Sequence, residues 1–397
     1  MGQLSKEIKD FVLLHADEDP KKVALKYASC NIDLKRALQQ IEGQQKARKK
    51  IPSWANNPDI IYPIGLSMEQ CSSEETGQYK QDIISSGDSM VDMTGGFGID
   101  FHFLSKKFGK AYYVEQNREL CDIAEENFKA LEMGNATIFH QTAEDFLAQN
   151  NSSFDLVYID PARRDANGKK TVIPSDCIPD LTSMLPQIAE RCKRMLVKYS
   201  PMLDIAQAIE DFHKYIQAIH IVATNNECKE LLLELNCEKN GFCEPVIHCI
   251  NICKSGRECF SFTYKEENER KTAYANGLGK YLYEPNSAIM KAGCHKSLAQ
   301  VYEAKPLSPN SHLYTSDNLI DKFPGRSFRI IGACKFDKKE YQKTFGGTNK
   351  ANVSVRNCPT TPELIKKKLK ISDGGTFYLF ATTLSNKEVI LIGCEKN

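Results

Sequence analysis

The stretch from Ser89 to Asp100, S-M-V-D-M-T-G-G-F-G-I-D, constrains this chain more than any other. A short apolar run ends on Asp92, a Thr94-Gly95-Gly96-Phe97-Gly98 turn follows, and an apolar, amphipathic stretch begins at Ile99. That order reads as a strand, a tight turn and a helix start. Glycines in the turn permit positive φ and let a ligand lie against the main chain. Three further features stand at fitting distances. The next strand, Ala111 to Glu115, ends on an acid about twenty residues past the glycines, where a strand-end carboxylate meets ribose hydroxyls in nucleotide-binding α/β units. A helix (Arg118 to Glu132) and a third strand (Thr137 to His140) lead to Ala143-Glu144-Asp145, polar groups placed for an adenine edge. Phe154 to Ile159 is an apolar strand that runs into Asp160-Pro161-Ala162-Arg163-Arg164.

This series resembles the class I S-adenosylmethionine (SAM) methyltransferases. Their turn follows acid-x-Gly-x-Gly-x-Gly; here Asp92 is the acid, Thr94 stands at the first glycine position, and Gly96 and Gly98 fill the others. The resemblance implies an α/β, Rossmann-like sheet that binds SAM through Asp92, Thr94, Gly95, Gly96, Gly98, Glu115, Glu144 and Asp145. Several nucleic-acid methyltransferases also carry a Glu-Gln-x-Ser/Thr-Ser element before the turn. By that likeness Gln70 and Ser72 are second-tier cofactor candidates, although Ser72 or Ser73 is equally placed to cap a helix with an acidic first turn. A dinucleotide site fits less well. It requires a third glycine for close helix–strand packing, and Phe101 stands there.

At 397 residues the chain is long enough for two or more domains, and 41% hydrophobic content supplies a packed core. The net charge of +1 names no partner by bulk electrostatics. No apolar run is long enough to span a bilayer, and the charged N-terminus lacks a signal-peptide core, so a cytoplasmic protein with no membrane partner is expected. Five of the fifteen cysteines cluster at Cys237, Cys243, Cys249, Cys253 and Cys259, with His248 among them. No Cys-x-x-Cys pair occurs, so no metal is expected and the thiols read as small apolar residues.

The expected organisation has four parts. Residues 1–62 read as a helical region, with a helix start at Asp19-Pro20 and a basic run from Gln44 to Lys50 that leads to Trp54. Trp54 reads as a packing anchor, or as a wall of a substrate cleft. Residues 63–275 form the methyltransferase domain, with strand five at Arg194 to Ser200, strand six at Ile216 to Ala223 and an antiparallel seventh strand at Glu258 to Tyr264. Residues 276–325 and 326–397 form small α+β domains. The last carries a lysine cluster, Lys366 to Lys368 and Lys370, and from Lys335 onward twelve Lys/Arg stand against six Asp/Glu. A lysine run is most simply a solvated face; attached to a methyltransferase it points toward RNA. The stretches P-S-W, L-S-M-E-Q-C-S-S-E-E-T-G-Q-Y-K, D-P-A-R-R, K-Y-S-P-M-L-D, Y-L-Y-E-P-N and D-G-G-T-F-Y-L-F-A-T-T make the whole chain similar to a bacterial family of class I methyltransferases with a C-terminal THUMP-like domain. In that family a ferredoxin-like module precedes the THUMP-like domain, and RNA (tRNA or rRNA) is the implied partner.

Asp160-Pro161 leaves the C-terminal end of a strand, where ligands bind in open α/β sheets. Asp160 is therefore the candidate base or nucleobase acceptor, and Arg163 and Arg164 are candidate phosphate or carboxylate partners. Plain structural roles compete: Asp160 as a loop cap, the arginines as partners of Asp165. Methylation of exocyclic amines commonly uses Asn/Asp-Pro-Pro-aromatic, which Ala162 and Arg163 replace. Pyrimidine carbon-5 methylation requires a cysteine, and Tyr199-Ser200-Pro201 offers none. A ring nitrogen of an RNA base remains. The alternatives are a small-molecule methyltransferase and a non-catalytic RNA-binding protein.

Overall fold

The N-terminal helices begin where side chains can replace missing backbone partners. α1 (Lys6–Leu14) starts at Ser5, α2 (Pro20–Lys26) at Asp19 and α3 (Leu34–Lys50) at Asp33, each capping side chain accepting a backbone N–H of the first turn. The basic run sits in the last turn of α3, where the helix dipole favours cations, and Lys46 pairs with Glu69 at 2.9 Å. α4 (Pro52–Ala55) and α5 (Gly65–Gln70) follow. The computed structural model describes residues 3–162, 177–238, 243–346 and 348–397. Two compact units divide the chain: Met1–Gln217 with Leu231–Cys243, and Ala218–Glu230 with Glu244–Asn397.

In the first unit, α6 (Glu74–Ile83) leads to β1 (Gly87–Asp92), α7 (Ile99–Ser105), β2 (Phe108–Glu115), α8 (Arg118–Ala130), β3 (Ala136–His140), α9 (Ala143–Gln149) and β4 (Phe154–Ile159). After α10 (Leu181–Ala189) come β5 (Cys192–Tyr199) and α11 (Ile205–Asp211). The parallel order is β3-β2-β1-β4-β5. β4 is apolar almost throughout because helices cover both faces of such a sheet. The chain leaves this unit within β6 (Ile216–Thr224) and returns within β7 (Glu227–Asn236), whose residues 231–236 run antiparallel to β5.

That pairing corrects the expected seventh strand. The antiparallel neighbour of β5 is residues 231–236; the stretch at 258–264 contributes instead to β9 (Gly256–Phe262) of the second unit, antiparallel to β8 (Val246–Cys253). β8 in turn runs parallel to β6. Cys249 is buried within β8 and Cys259 is exposed on β9, and the described cysteines are all free.

The second unit continues with α12 (Tyr264–Glu269), β10 (Tyr281–Pro285), α13 (Ser287–Ala292), α14 (His295–Val301), β11 (Lys305–Pro306), β12 (Tyr314–Ser316), β13 (Gly325–Lys335), α15 (Lys338–Phe345), β14 (Asn352–Arg356), α16 (Pro362–Leu369), β15 (Phe377–Thr383) and β16 (Val389–Lys396). One seven-stranded sheet, β11-β12-β10-β13-β16-β15-β14, runs through both expected C-terminal modules. Alternation divides its residues between two cores. Leu379 and Leu391 join Tyr341, Phe345, Ile365 and Leu369, while Phe380 and Ile392 join Leu282 and Phe328. No described helix is long and apolar enough to cross a membrane.

Trp54 is fully buried in the first unit, so it is a packing anchor and not a cleft wall. Its ring meets Phe97 of the glycine turn at 5.1 Å and His102 of α7 at 5.6 Å, both edge-on. The N-terminal helices and the turn thus share one core with Ile51, Tyr62, Ile99 and Phe103. Trp54→Ala is expected to lower stability by about 3–5 kcal/mol, read by urea unfolding followed by circular dichroism. An unchanged midpoint would show that the turn does not depend on these helices.

Candidate active site

The glycine turn takes the shape its residues allow. Gly96 and Gly98 have φ of +58° and +85°, a region that side chains disfavour. A Cβ on Gly95 would lie 2.2 Å from the Tyr113 ring, so the turn lies directly on β2. A Cβ on Gly96 would instead meet nothing nearer than Thr94 O at 3.7 Å. Main chain is therefore bare on that side, as a ligand resting on it requires. Phe101, at the position where a dinucleotide fold has glycine, is buried and stacks on Phe128 at 5.1 Å.

Glu115 joins β2 to the turn. Its Oε2 accepts Gly96 N–H at 2.8 Å and its Oε1 accepts Asn117 N–H at 2.7 Å. Each carboxylate oxygen retains a second lone pair for a ribose hydroxyl. Asp92 is buried, and burial holds its carboxyl well above the usual carboxylate range, although the Thr94 N–H opposes the shift. Its Oδ1 accepts Thr94 N–H at 2.9 Å and Thr94 Oγ1 at 3.3 Å, so Asp92 braces Thr94 from within. Thr94 Oγ1 also accepts Asp160 N–H at 2.7 Å. The threonine in place of glycine thus pins the start of the Asp160-Pro161 step to the turn.

Glu144 and Asp145 lie exposed in the first turn of α9, after β3, and Gln70 is exposed at the end of α5. Arg163 and Arg164 lie outside the described residues. Ser73 caps α6, and Ser72 enters a buried polar cluster that the sequence reading missed. There Asp100 Oδ2 accepts Ser72 Oγ at 2.7 Å and Tyr158 OH at 2.6 Å, and Asp100 Oδ1 lies 3.0 Å from Lys80 Nζ. Burial alone would raise the Asp100 carboxyl, but Lys80, Lys198 and these hydrogen bonds outweigh it and hold it below the usual range. Lys198 Nζ lies 3.1 Å from Ser72 Oγ and 2.5 Å from Asp160 Oδ2. The signal for Lys80 and Lys198 was a lysine inside an otherwise buried face and one inside the apolar run of β5.

A groove of about 710 Å³ opens between α8 and β3, lined by Arg118, Phe128, Met133 and His140 among others. None of the expected site residues lines it, and the chemistry-bearing groups gather instead at the carboxyl ends of β1, β2, β4 and β5. Among the described residues no group of three or more His, Cys, Asp or Glu is placed to hold a metal.

This order of strands and this glycine turn, with acids at the ends of β2 and β4, define a Rossmann-like class I methyltransferase fold. The chain is 31% identical to a candidate methyltransferase of known structure from Porphyromonas gingivalis W83, over 98% of this chain and 97% of that one, with a TM-score of 0.87. It belongs to that protein's family. Residues 281–324 match a ferredoxin-like domain, residues 325–396 a THUMP-like domain and residues 79–173 the family described as conserved hypothetical protein 95. An uncharacterised RNA methyltransferase from Mycoplasma mobile is 28% identical over 129 residues, 32% of this chain and 35% of that protein, so the match spans about a third of the relative's length.

Proposed function

We propose that the protein is a SAM-dependent methyltransferase that modifies RNA, at a ring nitrogen of a tRNA or rRNA base. The observation that carries this reading is the convergence of the bare Gly96 main chain, the Glu115 carboxylate and Asp160 at the carboxyl ends of β1, β2 and β4. Glu115 and the turn Thr94–Gly98 would hold the cofactor's ribose and amino-acid end, with Asp145 and Glu144 toward the adenine. SAM, when bound, supplies an electrophilic methyl group on a sulfonium and leaves as the neutral thioether. Asp160 orients the substrate nitrogen and accepts its proton as the new N–C bond forms. The RNA relative and the THUMP-like domain support the choice of substrate.

The test is transfer of labelled methyl from SAM to total RNA from a strain lacking the gene. Label in one RNA species, lost with Asp160→Asn, supports the reading. Absent label with SAM binding intact moves the assignment to a small molecule. RNA binding without SAM binding favours a non-catalytic protein.

On α16, Lys366 pairs with Asp373 at 2.7 Å and the exposed Lys368 lies over the Phe336 ring at 4.0 Å, while Lys367 and Lys370 are exposed at its C-terminal end. Replacing Lys367 and Lys370 by alanine is expected to weaken RNA binding across sequences and to flatten its log–log salt dependence by about two. Filter binding at several salt concentrations reads this, and an unchanged slope would take the helix out of the RNA interface.

A further inference from the structure

Four charged side chains of the first unit run from its interior to its surface in one chain of contacts. Lys80 of α6 is fully buried, Asp100 of α7 is 10% exposed, Lys198 of β5 is 12% exposed and Asp160 after β4 is 35% exposed. We propose that Lys198, held by Asp100 and Lys80, is a positioning residue that fixes the Asp160 carboxylate as a hydrogen-bond acceptor facing the substrate. The inference deepens the methyltransferase reading and rests on it for the identity of the substrate.

Strand register brings the pair together. β4 and β5 pair Tyr158 with Leu196 and Ile159 with Val197, and the next step sets Asp160 beside Lys198. An ammonium has three hydrogens to donate. Here three acceptors surround it: Asp160 Oδ2 at 2.5 Å, Ser72 Oγ at 3.1 Å and Asp100 Oδ2 at 3.4 Å. Lys198 is thereby used up within the protein and is not a substrate ligand. Its anchor is itself fixed, because Lys80, Ser72 and Tyr158 all hold Asp100.

A purely structural purpose explains this cluster poorly. Buried ion pairs add little stability that well-packed apolar residues would not supply. This cluster also becomes more exposed toward the strand end where ligands of such sheets bind. Oδ2 is given to Lys198 and the backbone N–H to Thr94, so that among the described residues Oδ1 is the atom of Asp160 left to meet a substrate N–H.

Among the described residues, the titratable groups that act on Asp160 are Lys198 on β5, Asp100 on α7 and Lys80 on α6, with the raised carboxyl of Asp92 on β1 near them. Among the described residues Lys198 is the cation in direct contact. Without it burial, and after it the Asp100 carboxylate, disfavours the ionised form with only the more distant Lys80 opposing, so the carboxyl takes up its proton at higher pH. A base that protonates at higher pH loses activity at higher pH, and the acidic limb of the rate profile moves up.

The test is a carbon-13 carboxyl titration of the full chain labelled at aspartate, with the Asp160 resonance assigned by its loss in Asp160→Asn. In Lys198→Met the Asp160 midpoint is expected to rise by about one to three pH units, and Lys198→Arg is expected to restore most of the difference. Lys198→Gln, which keeps the bond to Ser72 without the charge, gives the same readout where Lys198→Met does not fold. A midpoint that stays in place in the folded variant overturns the proposal. SAM binding to the same samples, read by calorimetry, is expected to be unaffected by the substitution. Failure of the wild type to bind SAM overturns the methyltransferase reading, and the carboxyl titration still decides the role of Lys198.

Discussion

Asp160→Asn is expected to lower methyl transfer by about 10²- to 10⁴-fold, the usual contribution of a positioned general base, with SAM affinity unchanged. Asparagine keeps the shape of the side chain and the backbone N–H that Thr94 accepts at 2.7 Å, so the glycine turn is left intact. What it removes is the carboxylate beside Lys198 and the place for the substrate's proton. Single-turnover transfer to RNA with saturating SAM reads the effect. Unaltered turnover would remove Asp160 from the chemistry and leave it as a structural link between β4 and the turn.

Glu115→Ala acts on the other half of the site. Hydrogen bonds to a charged group contribute about 1.5–3 kcal/mol each, so losing the ribose acceptors is expected to weaken SAM binding by about tenfold to more than a hundredfold. The same change also frees Gly96 N–H and Asn117 N–H. Glu115→Gln separates the two effects, because its amide oxygen can serve only one of those donors, and an intermediate loss is expected. Calorimetric titration with SAM distinguishes the three proteins, and equal affinity in all of them would show that the strand-end acid braces the turn and nothing more.

The part of the site formed by contiguous residues was legible in the sequence. A turn of Thr94, Gly95, Gly96 and Gly98 between a strand and a helix, and acids closing β2 and β4, are local features whose places in the fold can be read from the chain; the cofactor roles came from the resemblance. The pairing of Lys198 with Asp160 was not legible, because it arises from the register between two strands. Asp100 was hidden by its place in the first turn of α7, where an acid is ordinarily explained by the helix dipole. The antiparallel partner of β5 was missed for another reason. Glu227–Asn236 reads E-C-K-E-L-L-L-E-L-N, rich in good helix formers, and Leu231, Leu232 and Leu233 are all buried. Burial on both faces of a central strand overrides that propensity and erases the alternation by which the 258–264 stretch announced itself. Trp54 shows the same limit: its composition fitted a cleft wall as well as a core, and only its contacts with Phe97 and His102 decide between them.

The route of the chain has a consequence for how the protein is inherited. It leaves the first unit at Gln217, comes back for Leu231–Cys243 and departs again. The returning segment carries the strand that covers the edge of β5, the strand of Lys198. A gene shortened at residue 217 would therefore leave β5 as an open, sticky edge, and no single breakpoint releases the methyltransferase sheet intact without part of its neighbour. Unlike modules strung along a linker, these two units cannot be parted cleanly by one cut in the gene.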